Sequence, residues 1–313
     1  MATAGPAAAH ALPQSSDPAP GATLAAAPHE VTITFGEQPD LHLSSIRVLD
    51  SAGQNRAAGA VQSTPGAPRT LRVAVGPLPK GVYTVAWRTV SQVDGHLATG
   101  SFAFGVGVTP TAGATTGLVS RTSGPSVASV IFRWLLYAGL MLIVGAVVLS
   151  LAGATDLSPR LPALLAIGVV LGLAGAAGIA WDAAGAAHLG LSDLAGSSIG
   201  RQLVDRAVPT VVAGVLAAGA FGLPLGRAAR RGLVAASGLA GLAAMWGDVS
   251  ASHASAAGSW RYLRMADQWA HFAAAGVWVG GLVTLLVTLG PSPDRPRLAR
   301  RFSALALGAV AVI

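Results

Sequence analysis

Two different rhythms of apolar residues divide the chain. Between residues 28 and 107 the apolar positions alternate: Val31, Ile33, Phe35; Ile46, Val48; Leu71, Val73, Val75; Tyr83, Val85, Trp87; Phe102, Phe104, Val106. Successive side chains of a strand point to opposite faces. Period-2 runs separated by turn clusters such as "DSAGQ", "STPGAP" and "PLPKG" therefore predict half-buried strands of a small antiparallel sandwich or barrel. From residue 127 the alternation gives way to long Ala/Val/Leu/Gly runs broken by short charged loops. The runs near 127–151, 161–181, 205–225, 233–250 and 267–289, with a sixth from 302, suit helices crossing a hydrocarbon core of about 30 Å, which takes about 20 residues. The sixth stops at Ile313 within its apolar stretch, so the chain reads as a piece of a longer protein. Between the two halves, residues 108–126, "VTPTAGATTGLVSRTSGPS", have neither period and read as a linker.

Charge adds an orientation. Only 11% of the 313 residues are charged, and the net charge of +7 comes largely from arginines in the turns between apolar runs. Alternate loops 152–160, 226–232 and 290–301 hold eight arginines, against three in 182–204 and 251–266. Positively charged loops stay on the cytoplasmic side. The N-terminal domain is then expected on the outer face of the plasma membrane, and the basic balance is not a nucleic-acid footprint. Residues 1–9, "MATAGPAAA", lack a basic start and a long apolar core, yet Ala7 and Ala9 form a small-x-small cleavage pattern before His10, as in the remnant of a signal peptide.

The absence of cysteine excludes disulfides, thiolate zinc and copper sites, and iron–sulfur clusters. A metal here would take imidazole, carboxylate, amine or thioether. In "TVSQVDGHLATG" Asp94 and His96 are two apart, so in an extended segment they would share a face. A histidine freed as the first residue offers an α-amine and an imidazole. His10, Asp94 and His96 together would give the nitrogen and oxygen donors that Cu(II) takes in a tetragonal set. The same Asp-Gly-His also reads as an ordinary turn beside a polar histidine. His29 and His42 read as surface residues at strand edges.

In the apolar half each polar group stands out. His188, His253 and His271 all fall on the expected outer side. On the fifth run Asp267, His271 and Trp278 share one helical face, which would let Asp267 orient the His271 ring. Met265 is a weaker candidate, and Arg133 reads as snorkelling or paired. No Ser-His-Asp spacing, HExxH or nucleotide loop occurs where it could work, so the chain is not expected to be an enzyme.

The segments "AHALPQSSDPAPGATLAAAPHEVTITFGE" and "LPKGVYTVAWRTVSQVDGHLATGSFAFGV" resemble the CopC family of copper-binding β-sandwiches. The likeness lies in the histidine after a cleavage point, the S-x-P-x-x-G turn (Ser16, Pro18, Gly21), the V-T-x-x-F strand and the closing D-G-H. It implies an immunoglobulin-like sandwich over 10–107 with Cu(II) held by His10, Asp94 and His96. "DQWAHFAAAGVWVGGLVTLL" and "WGDVSASHASAAG" resemble the CopD family of multi-helix membrane proteins linked to copper passage. That resemblance implies an all-α polytopic bundle over 127–313 with membrane copper contacts, as Cu(II) or Cu(I), at His253, His271 and His188. The expected partners are copper, lipid and a copper chaperone outside the cell. The expected function is copper capture and uptake. Two alternatives stand beside it: copper sequestration or delivery without transport, and a haem-binding electron-transfer protein using the intramembrane histidines.

Overall fold

A computed structural model describes residues 12–93, 95–111, 119–122, 126–153, 160–187, 190–255, 260–288 and 295–313. The chain divides into two compact units, Met1–Gly124 with Ala183–Ser198, and Pro125–Asp182 with Ile199–Ile313. His10, Asp94 and His188 lie outside the described residues.

The first unit is a two-sheet β-sandwich. One sheet has the order β1 (Pro13–Asp17), β3 (Glu30–Phe35), β6 (Ala67–Ala74), β5 (Gln62–Thr64). The other runs β2 (Thr23–Leu24), β8 (Leu97–Val106), β7 (Gly81–Val90), β4 (Ser45–Leu49), with β9 (Val119–Thr122) also on β8. Pairing is antiparallel except where Thr23 and Leu24 run parallel to Gly105 and Val106. The alternation explains the layers. Val31, Ile33 and Phe35 from β3, Leu71 and Val73 from β6, Ile46 and Val48 from β4, Tyr83, Val85 and Trp87 from β7, and Phe102 and Phe104 from β8 meet in one core. Phe35 and Trp87 touch edge to face across it, with ring centres 5.8 Å apart.

The S-x-P-x-x-G sequence carries the chain from one sheet to the other. The Ser16 hydroxyl donates to the Pro18 carbonyl (2.8 Å). Gly21 has φ +77°, a conformation open to glycine at no steric cost, and its N–H donates to Ala103 on β8 (2.7 Å). Within the segment 108–126, Val119–Thr122 adds to the edge of β8 opposite Ala98–Ser101. A four-residue strand with polar Ser120, Arg121 and Thr122 leaves too short a pattern to be seen in sequence.

The second unit is helical. Among the described residues, five stretches are long and apolar enough to cross a membrane: α1 (Val127–Leu151), α2 (Leu161–Ala186), α4 (Ser198–Gly222), α5 (Arg227–Ser250) and a fifth, Arg261–Thr288. The fifth consists of α6 (Arg261–Ala275), a π-helical turn at Gly276–Gly280 and α7 (Gly281–Thr288). The single turn α3 (Leu191–Leu194), between α2 and α4 in the chain, belongs to the first unit. The expected sixth run is a helix, α8 (Arg295–Val312), but its opening turns carry Arg295, Arg297, Arg300 and Arg301, and it is not among the five.

Glycine lets these helices meet at their backbones. A Cβ on Gly139 would come within 2.3 Å of the Gly172 nitrogen, and one on Gly175 within 2.3 Å of the Leu136 nitrogen, so α1 and α2 pack along a glycine seam. Leu136, Leu140, Ile143, Val144 and Val147 of α1 form the middle of the bundle core with Met245 of α5 and Phe272 of α6. Outward-facing Val170, Val215, Leu239 and Leu286 are exposed, as suits surfaces solvated by lipid.

Candidate metal centre

His96 is the last residue before β8, at the end of a six-residue turn that closes the β7–β8 hairpin, where Val90 pairs with Leu97. The turn is pinned from inside. The Ser91 N–H donates to the His96 carbonyl (2.9 Å), the Gly95 N–H donates to the Ser91 carbonyl (2.9 Å), and the Val93 N–H reaches the Ser91 hydroxyl (3.2 Å). That hydroxyl in turn donates to the Glu37 carboxylate at 2.9 Å. Ser91 is fully buried and Glu37 nearly so. Gln92 N–H to Gln38 O (3.0 Å) and Asp40 N–H to Val90 O (2.7 Å) lay the 37–40 segment along the start of the turn.

Gly95 has φ +72°, a conformation open to glycine at no steric cost, and the turn has its glycine there. The N-terminal strand reaches the same end of the sandwich: Gly36 N–H donates to the Leu12 carbonyl (2.8 Å), and Pro13 pairs with Phe35. The Leu12–Gly36, Glu37–Ser91 and Ser91–His96 bonds thus follow one another at this end, with Gly36 and Glu37 joined along the chain. His29 and His42 are exposed, His29 just before β3 and His42 in the turn before β4, its N–H on Asp40 Oδ1 (2.9 Å).

In the helical unit His253 lies in a short 3-10 turn after α5, and Asp267 and His271 lie on one exposed face of α6. The Ser252 hydroxyl donates to Gln268 Oε1 (3.0 Å), tying the His253 turn to α6 one turn ahead of His271. Met265 is buried and Trp278 is half exposed on the π-helical turn. Among the described residues no group of three or more His, Asp or Glu gathers that could hold a metal ion. A pair that the sequence did not single out is instead in contact: Arg206 Nε of α4 donates to Asp248 Oδ1 of α5 at 2.8 Å, both side chains buried.

Residues 13–107 match the family model of the CopC domain. Against CopC from Methylosinus trichosporium OB3b the identity is 31%, covering 93% of that chain and 31% of this one, with a TM-score of 0.29. The chain carries a CopC domain. Against PcoC, a methionine-rich copper resistance protein from Escherichia coli, the identity is 28%, covering 98% of that chain and 31% of this one, with a TM-score of 0.28. A search of curated proteins finds no match to the chain. The four methionines of this chain, Met1, Met141, Met245 and Met265, all fall outside its CopC domain.

Glu37 and Ser91 are a buried pair beside His96 that sequence reasoning did not single out. Only a carboxylate directly after the buried end of β3 hinted at Glu37, because its partner is 54 positions away. Groups that orient a ligand through hydrogen bonds commonly change metal affinity by about 10–100-fold when removed. If His96 holds copper, Ser91→Ala is expected to weaken copper binding by a factor in that range, read by competition against a chelator of known affinity. An unchanged affinity would show that the buried Glu37–Ser91 link serves folding alone.

Proposed function

We propose that the chain captures Cu(II) on its CopC domain, outside the cell, and that its helical bundle passes copper across the plasma membrane. The observation that carries the first part is the bonded chain Leu12–Gly36, Glu37–Ser91 and Ser91–His96. It supports gathering His10, Asp94 and His96 at one end of the sandwich, since His10 is only two residues before Leu12, at most ~7 Å of chain. Amine, two imidazoles and a carboxylate form the nitrogen- and oxygen-rich set that favours Cu(II) over softer ions. Copper is the cargo, and the chain acts as carrier rather than enzyme. A copper chaperone outside the cell is the natural donor.

The second part rests on the five apolar spans and on the likeness of "DQWAHFAAAGVWVGG" and "WGDVSASHASAAG" to the CopD family. His253 and His271, on elements joined by the Ser252–Gln268 bond, are the membrane contacts, with Asp267 as the orienting carboxylate of His271 and His188 as a further donor. The arginine-rich loops support the outside placement of the CopC domain.

Cu(II) EPR of the detergent-solubilised chain tests capture. The chain beginning at His10 is compared with one carrying a single extra residue before it. Loss of one nitrogen donor in the extended form is the expected result, and identical spectra would discard the amine ligand. Radioactive copper accumulation by cells with and without the gene tests passage. Equal accumulation would leave capture without uptake, the sequestration alternative.

A further inference from the structure

We propose that Asp248 is a cation-exchange site inside the helical bundle, with Arg206 as the resident counter-ion that the cargo cation displaces. The proposal rests on the copper reading above and names a step in it. Stability does not account for the pair. Removing a guanidinium and a carboxylate from water is costly, and well-packed apolar residues usually do as well or better in their place. Ionisable groups within membrane spans are rare and mark ion pathways. Both charges here belong to candidate spans, Arg206 to Ser198–Gly222 and Asp248 to Arg227–Ser250.

Its position is that of a first buried charge. α5 ends at Ser250, two residues beyond Asp248, and the His253 turn follows at once. A cation arriving at the His253 and His271 end would meet the Asp248 carboxylate next. A groove of about 410 Å³ runs beside the pair, lined by Asp205, Pro209, Trp246, Gly247 and Ser250 but by neither Arg206 nor Asp248 themselves, so a cation in it reaches Asp248 only when Arg206 moves. At ~30 Å³ per water it can admit a hydrated ion.

The local backbone lets Arg206 yield. Pro209 lies inside α4 and has no N–H to give to the carbonyl of Asp205, four residues back. α5 closes on that carbonyl through Gly247, where a Cβ would come within 2.3 Å of it. A helix missing one bond beside the pair can bend there. The Thr210 hydroxyl adds a bond to the next carbonyl along, that of Arg206 (2.7 Å). One turn further in on the same face of α5 is Met245, a fully buried thioether.

The test compares the purified full chain with the double variant Asp248→Asn/Arg206→Gln, which keeps a hydrogen-bonding pair without charge. Infrared difference spectra on adding Cu(II) report carboxylate binding, and copper flux into proteoliposomes reports passage. The expected result is loss of one copper-induced carboxylate band and a flux lowered more than 10-fold, while the EPR signal of the CopC domain is unchanged. Equal bands and equal flux would overturn the exchange site. A wild-type chain that shows the Asp248 band but no flux keeps the site and overturns passage. Flux without that band overturns the site and keeps passage, and neither signal overturns both. Should the double variant fail to fold, Arg206→Lys retains the pair with a more strongly hydrated cation. The copper concentration giving half the band is then expected to shift at least 3-fold, and an unchanged value overturns the proposal.

Discussion

His96→Ala is expected to lower the Cu(II) affinity of the intact chain by more than about 100-fold, since direct removal of a ligand should exceed the 10–100-fold usual for its supporting groups. Tenfold corresponds to about 1.4 kcal/mol, so the loss is at least about 2.8 kcal/mol of binding energy. The fold should survive. What holds the turn at residue 96 is its carbonyl, which accepts from Ser91, and alanine keeps that group. The half-buried ring leaves the 91–95 turn, the Glu37–Ser91 bond and the core from Phe35 to Phe104 in place. A chelator competition titration with a thermal melt separates the outcomes. Wild-type affinity would remove His96 from the ligand set, whereas a collapsed melting midpoint would mark it as structural.

How far the sequence could be read follows from the range of each interaction. Val31, Ile33 and Phe35 announce β3 because burial on one face of a strand is written at every second residue, and the same holds for β7 and for Phe102 to Val106 on β8. The long apolar runs likewise announce the helices. Their ends were less visible. α4 begins at Ser198 rather than near 205 because Arg201, Asp205 and Arg206 interrupt the apolar pattern, and only the structure shows Arg206 meeting its countercharge 42 positions on. The candidate site divides in the same way. His96 is proposed from a local motif, while Glu37 comes beside it only through a fold that brings β3's end to the β7–β8 turn. The positive φ of Gly95 was legible as a turn signal because the sequence writes glycine there.

Gly280→Ala is expected to prevent assembly of the helical bundle, with most of the protein lost to aggregation on detergent extraction. A Cβ at Gly280 would lie 1.8 Å from the Met141 carbonyl oxygen of α1, and the facing Gly145 would place its own Cβ 2.0 Å from the Gly280 carbonyl carbon. Overpacking against side chains typically costs about 1–3 kcal/mol because rotamers yield. Here both obstacles are backbone, so relief requires moving α1, and α1 also packs against α2, α5 and α7. The π-helical turn makes the position more sensitive: the wider Gly276–Gly280 turn is where the fifth span presses closest to α1, and such turns recur at functional sites. The Cu(II) EPR signal of the CopC domain in whole membranes should remain, because that domain has its own core. Gly308→Ala is the control, since nothing lies within 4 Å of its would-be Cβ. Size-exclusion profiles in mild detergent check the pair, and a monodisperse Gly280→Ala protein would show that α1 and the π-helical turn can separate without loss of the bundle.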